Sequence, residues 1–558
     1  MWGVMKFRFY GTLFLIAVFI SLGGAVLEMG PGYMDADYYY ASGLRIASNQ
    51  GWSEQFLWNY LDDPLGLPHA AFTYWMPLAG IVAGLGMKIT GITNFWGARI
   101  GFLIIAGCIA PITAYLAFTF TPVRWAAILA GSIAMFTGFY YAYLPTTETF
   151  GIYMVLGGVF FILVRRLQKD LNTARITDVN KVKSASLNYP NKQMLISPFW
   201  VYLLIGATAG LMYLTRADGL MWFIMALIVI VVQGYSIRKV ANQGSKIQYW
   251  SPILLCLAGF FILCSPWILR NLSEFGSVFA PGTDRALWLT DYDDLYTYPA
   301  SELTFNRWLE SGIPEILRAR GWALGLNLVN AFAVQGGIFL LPLMLAGMWA
   351  KRKDWRVSLG ILAWFGILLT MTLIFPFQGA RGGFFHAGAA LQPLFWALVP
   401  AGFMVFISWG ERTRKWNSNR ALKVFGYSIV GFVIIITIFV TWQRLGRQIL
   451  VNPDWGKTEH TYQMVEEHLV DQGISPEAVV MVNNPPGYNA MTARRAIVIP
   501  NGDLETSIQA GKMYGADYLI LDENYPQGLR DLYIDPGDQP GLIYLDSIEQ
   551  MHIYKFEQ

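Results

Sequence analysis

Residues 7–40 read FRFYGTLFLIAVFISLGGAVLEMGPGYMDADYYY, an apolar run followed at once by acids and aromatics. The apolar run over 7–26 is long enough to cross a bilayer as an α-helix, since about 20 apolar residues span the hydrocarbon core. Asp35 and Asp37 come soon after it, directly before three tyrosines. Tyrosine is enriched at membrane interfaces, and a carboxylate there is costly unless it has a partner or a function. The stretch therefore predicts a membrane protein with an acidic site at the bilayer surface.

The composition of the whole chain agrees with a polytopic α-helical membrane protein. Hydrophobic residues make up 55% of the 558 residues and charged residues 14%, whereas soluble domains average about 25% charged residues. Mean hydropathy is +0.40. The three cysteines, Cys108, Cys256 and Cys264, lie in apolar stretches, which argues against a disulfide framework or a zinc site. We expect no nucleic-acid partner.

About eleven apolar stretches are predicted to cross the bilayer. They are 7–26, 97–120, 124–141, 146–164, 198–215, 219–235, 250–268, 326–349, 357–375, 389–408 and 424–442. The strongly basic loop 165–196 is predicted to be cytoplasmic, as is the N-terminus. This requires an even number of crossings between them, so the apolar segment 71–90 is predicted to lie in the membrane plane or to re-enter. The alternative is that 71–90 crosses fully and another segment does not.

This topology places the loop 28–96 and the C-terminal part of the chain outside the cell membrane. Residues 1–445 are predicted to form the membrane domain. Residues 446–558 have an ordinary soluble composition and are predicted to form a small extracytoplasmic α/β domain, because strand and helix patterns alternate there. The strands are predicted at 478–482, 496–499, 517–522 and 551–556, and the helices at 458–472 and 503–514. The domain either binds an acceptor or covers the outer face.

Three carboxylates on the predicted outer side are candidate catalytic residues. Asp35 and Asp37 end the stretch quoted above, and Glu148 begins an apolar span in the sequence Leu144-Pro-Thr-Thr-Glu148-Thr. Glu148 is also explained by a first-turn acid that complements the helix dipole. If Asp35 and Glu148 share one cavity, they could hold a hard divalent cation such as Mg²⁺ or Mn²⁺.

Several cations and polar residues on the same side are candidates for binding a phosphate group. Arg381 and His386 lie in a glycine-rich stretch, which lets the backbone approach an anion while arginine binds phosphate bidentately. Arg216 and Asp218 share a tight turn, where a local ion pair is an equally good explanation. The remaining candidates are Arg270, at a helix end, and His69 and Tyr74, in the loop 28–96.

These elements, in this order, resemble the GT-C superfamily of membrane glycosyltransferases, above all the protein-mannosyltransferase and aminoarabinose-transferase types. The resemblance covers about residues 1–445. It is carried by short motifs: Asp35-Ala-Asp37-Tyr-Tyr, the stretch from His69 to Leu78 (HAAFTYWMPL), Thr147-Glu148, Leu214-Thr-Arg216-Ala-Asp218, Pro266-Trp-Ile-Leu-Arg270-Asn271 and Arg381-Gly-Gly-Phe-Phe-His386. The order also looks like that of oligosaccharyltransferases, but their Trp-Trp-Asp acceptor motif is absent from this sequence.

The resemblance implies a glycosyltransferase of the cell envelope that uses a polyprenyl-phosphate sugar and an extracytoplasmic acceptor. In this superfamily an acid of the first outer loop acts at the catalytic centre, and the resemblance makes Asp35 the first candidate for it and Asp37 the second. It gives Glu148 an assisting or metal-binding role. A phosphate leaving group needs charge stabilisation rather than a general acid, and Arg381, His386, Arg270 or Arg216 could supply it. We expect a single inverting displacement. Departures from the family pattern, such as Ala-Ala after His69, leave the donor and the acceptor open.

Two other classes of function remain as alternatives. A transporter or flippase of lipid-linked sugars would also carry many helices and buried charges, but such proteins usually show internal repeats, and none is evident. A non-catalytic scaffold would tolerate substitution of its carboxylates.

The predicted orientation can be tested by cysteine labelling in intact cells. We expect a membrane-impermeant maleimide to label Lys512→Cys, in the C-terminal domain, but not Ser184→Cys, in the basic loop. The native cysteines lie in apolar stretches and give the background, which the unsubstituted protein measures. If Ser184→Cys is labelled and Lys512→Cys is not, the orientation is the reverse of the predicted one.

Overall fold

Long apolar helices form most of the computed structural model, which describes residues 7–183, 199–241, 246–446 and 457–557. The helices of the membrane part are α1 (Phe7–Leu27), α2 (Met34–Ala47), α3 (Leu78–Thr90), α4 (Phe95–Phe120), α5 (Arg124–Phe136), α6 (Thr149–Lys183), α7 (Phe199–Thr215), α8 (Gly219–Ala241), α9 (Lys246–Phe275), α10 (Phe305–Glu310), α11 (Ile313–Asn330), α12 (Leu341–Ala350), α13 (Trp355–Leu369), α14 (Pro376–Gln378), α15 (Phe384–Gly388), α16 (Gln392–Arg414) and α17 (Ser418–Thr441). Those of the C-terminal part are α18 (Lys457–Asp471), α19 (Pro485–Thr492), α20 (Leu504–Tyr514) and α21 (Arg530–Ile534).

Eight helices in the described part of the chain are long and apolar enough to cross a bilayer. A ninth span is formed if a bent pair of helices counts as one. This pair corrects the predicted crossing 326–349, which is not one straight helix: Ile313–Gln335 and Ile338–Ala350 meet at 81°. The break falls at Gly336-Gly337, where Gly337 has a φ of 56°, a conformation that glycine adopts without a steric penalty.

Three further apolar helices are shorter than a full span. They are α3, α5 and α7, and α3 and α5 have 13 residues each, about 20 Å in length. Helix α3 covers only the last 13 residues of the segment 71–90, since it begins at Leu78 after an irregular stretch. Whether that segment crosses the membrane stays a prediction.

The C-terminal part is built around a mixed sheet of six strands. The described part of the chain has eight strands in all: β1 (Ser53–Glu54), β2 (Phe56–Leu57), β3 (His69–Ala70), β4 (Val479–Val482), β5 (Ala496–Val498), β6 (Ala516–Leu521), β7 (Leu542–Ile548) and β8 (Met551–Phe556). The six-stranded sheet has the order β2-β5-β4-β6-β8-β7, while β1 and β3 form a separate antiparallel pair. The neighbours of β4 are parallel to it, and β7 and β8 are antiparallel to theirs.

The sheet is not made by the C-terminal residues alone. Its edge strand β2 comes from the loop 28–96 and pairs with β5 in parallel, with Phe56 opposite Ala496. One buried apolar cluster also joins the two parts, because Tyr38 of α2 belongs to the same cluster as Tyr462 and Tyr488 of the C-terminal part. Helix α2 therefore lies between the membrane helices and the sheet.

Candidate active site

Three potential metal-ligating side chains from distant parts of the sequence meet at one point. One ligand atom from each of Asp35, Glu148 and His386 lies within 4.8 Å of the others. The Nε2 atom of His386 is 3.9 Å from Oδ2 of Asp35 and 3.6 Å from Oε1 of Glu148. Two carboxylates and an imidazole therefore face a common volume.

Asp35 reaches this point from the first turn of α2. An acid in the first turn complements the partial positive charge at a helix N-terminus. The helix is fixed from the side of Glu148, because the Thr147 hydroxyl donates a hydrogen bond of 2.7 Å to the carbonyl oxygen of Ala36. The two candidate acids thus come from segments that are bonded to each other.

Glu148 lies directly before α6 and is almost fully buried, with 1% of its surface exposed. Its Oε1 atom accepts hydrogen bonds from the backbone N–H and the hydroxyl of Thr149, at 2.5 and 2.7 Å. Its Oε2 atom accepts a hydrogen bond of 3.1 Å from the Tyr33 hydroxyl. Three donors therefore hold this carboxylate in one orientation.

His386 is held by the backbone of its own glycine-rich segment. Its Nδ1 atom lies 2.9 Å from the carbonyl oxygen of Gly382, which can only accept, so Nδ1 carries the hydrogen. Gly382 has a φ of 133°, a conformation that side-chain-bearing residues rarely adopt. The imidazole stacks on Phe150 with ring centroids 4.1 Å apart. These contacts leave Nε2 directed at the two carboxylates.

The environment moves the pKa values of the two acids apart. Burial and the neighbouring charge of Glu148 raise the pKa of Asp35 to about 6, although His386 and Arg216 act in the opposite sense. Burial also acts to raise the pKa of Glu148, but His386 and the hydrogen bonds from Thr149 outweigh it, so that this pKa is lowered. Glu148 is therefore the more persistent anion and Asp35 the better proton acceptor near neutral pH.

Two arginines act on this site by their charge, Arg216 on Asp35 and Arg381 on Tyr292, which Asp35 also affects. Arg216 is bound to Asp218 by a contact of 2.9 Å between Nε and Oδ1, and its charge acts on Asp35. Exposed Arg381 lies over the ring of Tyr292, with its Cζ atom 4.9 Å from the centroid.

The sequence reasoning missed two residues of this site, Tyr33 and Arg444. Arg444 lies 5.0 Å from the ring centroid of Tyr143, whose hydroxyl is within electrostatic reach of Glu148 and Asp35. Tyr33 could have been found, because it is two residues from Asp35, but nothing in the sequence brings Arg444 to this place.

Comparison with known proteins identifies the fold. No family model matches the chain, and no curated protein is similar to it in sequence. Among solved structures, ArnT from Cupriavidus metallidurans bound to undecaprenyl phosphate aligns with 98% of this chain and 98% of its own, at 11% identity and a TM-score of 0.54. The archaeal oligosaccharyltransferase AglB from Archaeoglobus fulgidus, in complex with an inhibitory peptide and a dolichol-phosphate, aligns with 92% of this chain and 69% of its own, at 11% identity and a TM-score of 0.48.

The chain has the GT-C fold. This conclusion rests on the alignment with ArnT, which covers nearly the full length of both chains. It confirms the resemblance and the fold class that were predicted from the short motifs.

In this GT-C fold, other predicted site residues lie in separate environments. Asp37 faces the C-terminal part, where Asn484 donates a hydrogen bond of 2.7 Å to its Oδ2 atom. Arg270 donates a hydrogen bond of 2.7 Å to the carbonyl oxygen of Ala71. Tyr74 stays near the site, since burial, Tyr292 and the charge of Asp35 together raise its pKa.

His69 lies between two acids, Asp62 and Glu54, in a second buried cluster. Its Nε2 atom is 2.8 Å from Oδ2 of Asp62, and its Nδ1 atom is 3.8 Å from Oε2 of Glu54. Burial acts to lower the pKa of His69, but the two acids outweigh it and raise the pKa to about 9. Imidazolium–carboxylate contacts thus tie together strands β1 and β3 of the loop.

This ion cluster predicts a pH-dependent loop. Because the folded pKa of His69, about 9, exceeds the unfolded value of about 6.5, the stabilisation is complete below pH 6.5 and is lost as pH rises through 9. The loss amounts to roughly 3 kcal/mol at most. We expect proteolysis of the loop 48–70 in the wild type to accelerate between pH 7 and 10. The loop of His69→Gln should be cleaved faster at pH 7 and should lose this acceleration. An unchanged pH profile in the variant would show that His69 is not the group responsible.

Proposed function

We propose that the protein is an integral-membrane glycosyltransferase that moves a sugar from a polyprenyl-phosphate carrier to an acceptor on the outer side of the membrane. The observation that carries the proposal is the meeting of Asp35, Glu148 and His386 in a chain with the GT-C fold. The ArnT structure with this fold contains undecaprenyl phosphate, and we propose a carrier of that class here.

The cations beside the site suit a phosphate leaving group. When the bond between the anomeric carbon and the phosphate oxygen breaks, negative charge develops on the phosphate, and no proton is needed for its departure. The charge of Arg216 acts on Asp35 directly. Arg381 and Arg444 contact Tyr292 and Tyr143, two tyrosines whose pKa values burial and Asp35 both raise. Charge placed in advance where charge develops is a large contribution to catalysis.

Asp35 is the proposed general base. The acceptor hydroxyl loses its proton to the Asp35 carboxylate while its oxygen forms the new bond to the anomeric carbon. One such displacement inverts the configuration at that carbon. Glu148 is held by Tyr33 and Thr149 and is less available for proton transfer, so its proposed role is electrostatic.

As an alternative to the general-base role of Asp35, the same three residues fit a divalent cation. Two carboxylate oxygens and an imidazole nitrogen converge, and the Nδ1–H bond of His386 to Gly382 leaves Nε2 available as a ligand. The imidazole favours Mn²⁺ over Mg²⁺, because Mg²⁺ prefers oxygen ligands. A bound cation would supply positive charge against the leaving phosphate.

The general-base role predicts that Asp35→Asn lowers kcat for sugar transfer by roughly 10²- to 10⁴-fold, the usual contribution of a positioned base. The assay measures transfer of radiolabelled sugar from a panel of polyprenyl-phosphate sugars by the full chain in lipid. Asp284→Asn makes the same chemical change at an exposed residue and should leave transfer unchanged.

Near-normal transfer by Asp35→Asn would refute the role of Asp35. Failure of the wild type to transfer from any donor, with movement of labelled lipid between leaflets instead, would refute the proposed function in favour of a flippase.

The metal fit predicts one Mn²⁺ bound per chain, measured by electron paramagnetic resonance on the purified protein without substrate. We expect Asp35→Asn, Glu148→Gln and His386→Gln each to weaken binding by about tenfold or more, as loss of a ligand should exceed the loss seen for outer-shell partners. Asp284→Asn is again the control. Equal Mn²⁺ affinity in all four variants and the wild type would show that these residues are not the ligands.

A further inference from the structure

The two acids of the Asp35-Ala36-Asp37 motif have different surroundings. Residues two apart on an α-helix point about 200° away from each other. Asp35 accordingly faces Glu148 and His386, whereas Asp37 faces the C-terminal part of the chain. Because both acids belong to α2, a contact that displaces Asp37 also displaces the helix that carries Asp35.

Asn484 connects α2 to the C-terminal part with both ends of its amide. Its Nδ2 atom donates a hydrogen bond of 2.7 Å to Oδ2 of Asp37. Its Oδ1 atom accepts a bond of 3.1 Å from the backbone N–H of Gly487 and so caps the N-terminus of α19. The amide cannot rotate without losing one of the two bonds, so its orientation is fixed.

The contact is close and buried. Asp37 is 1% exposed. A Cβ atom on Gly487 would lie 2.9 Å from Oδ2 of Asp37, so a side chain there would push α19 away from α2. A second bond acts just before α2, where Oε1 of Glu459 accepts from the backbone N–H of Gly32 at 2.9 Å.

We infer that Asn484 is a positioning residue, through which the C-terminal domain sets the placement of α2 and thereby of Asp35. The inference rests on the proposed glycosyltransferase function. Apolar contacts around Tyr38 and Tyr488 join the two parts, but apolar contacts are non-directional and tolerate small rotations. The hydrogen bond fixes the rotation of α2, and displacements of about 1 Å at a reacting group cost up to about 10²-fold in rate.

A charge-exchange experiment tests the inference. Asn484→Asp keeps the cap of α19, because aspartate is as good an N-cap as asparagine. It replaces the amide that donates to Asp37 by a second carboxylate, so the hydrogen bond to Asp37 is lost. We expect kcat to fall by about tenfold or more while KM for the donor stays within about twofold, since the misplaced group acts in the transition state. Adding Asp37→Asn restores a donor–acceptor pair with reversed direction, and the double variant should recover kcat to within about threefold of wild type.

Asn483→Asp is the matched control. The Asn483 amide donates to Oδ1 of Asp522 at 2.7 Å, inside the C-terminal part, so this variant makes the same change one residue away without touching α2. Its kcat should stay near wild type. If Asp37 were itself a reacting group, Asp37→Asn alone would abolish transfer and the double variant would stay inactive, which would overturn the inference.

Amide hydrogen exchange over residues 37–47 provides a readout that does not depend on turnover. We expect faster exchange in Asn484→Asp and wild-type protection in the double variant. If the wild type transfers sugar but the double variant recovers neither kcat nor protection from exchange, the inference is refuted and the proposed function stands. Absence of transfer from the wild type, with exchange rescued as expected, would refute the proposed function while the contact between Asn484 and α2 stands.

Discussion

Two carboxylates two residues apart on one buried helix must each find a separate partner, and this constraint organises the site. Helix α2 meets this constraint by lying between the membrane helices and the C-terminal part. Asp35 turns to the membrane helices, where Glu148 and His386 lie, and Asp37 turns to Asn484. The backbone between them is held by Thr147 through the carbonyl of Ala36. Asp35 is thus carried by a helix that bonds both to the segment of Glu148 and to the C-terminal part.

The electrostatics of the site follow from this crowding. Two acids close together in a buried place cannot both be ionised without compensation. His386 and the donors of Thr149 stabilise the charge of Glu148, so the cost falls on Asp35, whose pKa rises to about 6. A cation or the positive charge that develops at an anomeric carbon would relieve the same repulsion. The arrangement therefore favours positively charged species at the point where the three side chains meet.

The sequence predicted the fold class, and it named Asp35, Glu148 and His386 as candidates because motifs beside apolar spans mark the ends of membrane helices. It placed His386 with Arg381 at a phosphate, however, and not with the two acids. It could not show which polar residues meet, since contacts such as that of Asp37 with Asn484 depend on how distant segments pack. Arg270 and His69 were candidates alongside Arg216, yet Arg270 donates to the carbonyl oxygen of Ala71 and His69 contacts Asp62. The edge strand β2 was missed for a different reason, because a two-residue strand has no period to detect.

The broken helices near His386 explain how an irregular segment can hold a precise side chain. Residues 331–335, 370–374 and 379–383 form π-turns, which disturb the regular backbone hydrogen bonds. Within a membrane such groups need partners from the protein. Gln335, at the bend between α11 and α12, donates to the carbonyl oxygen of Phe384 at 3.2 Å and accepts from Trp364 at 2.8 Å. The bend thus supplies a donor to the backbone of the segment that carries His386, two residues before the imidazole.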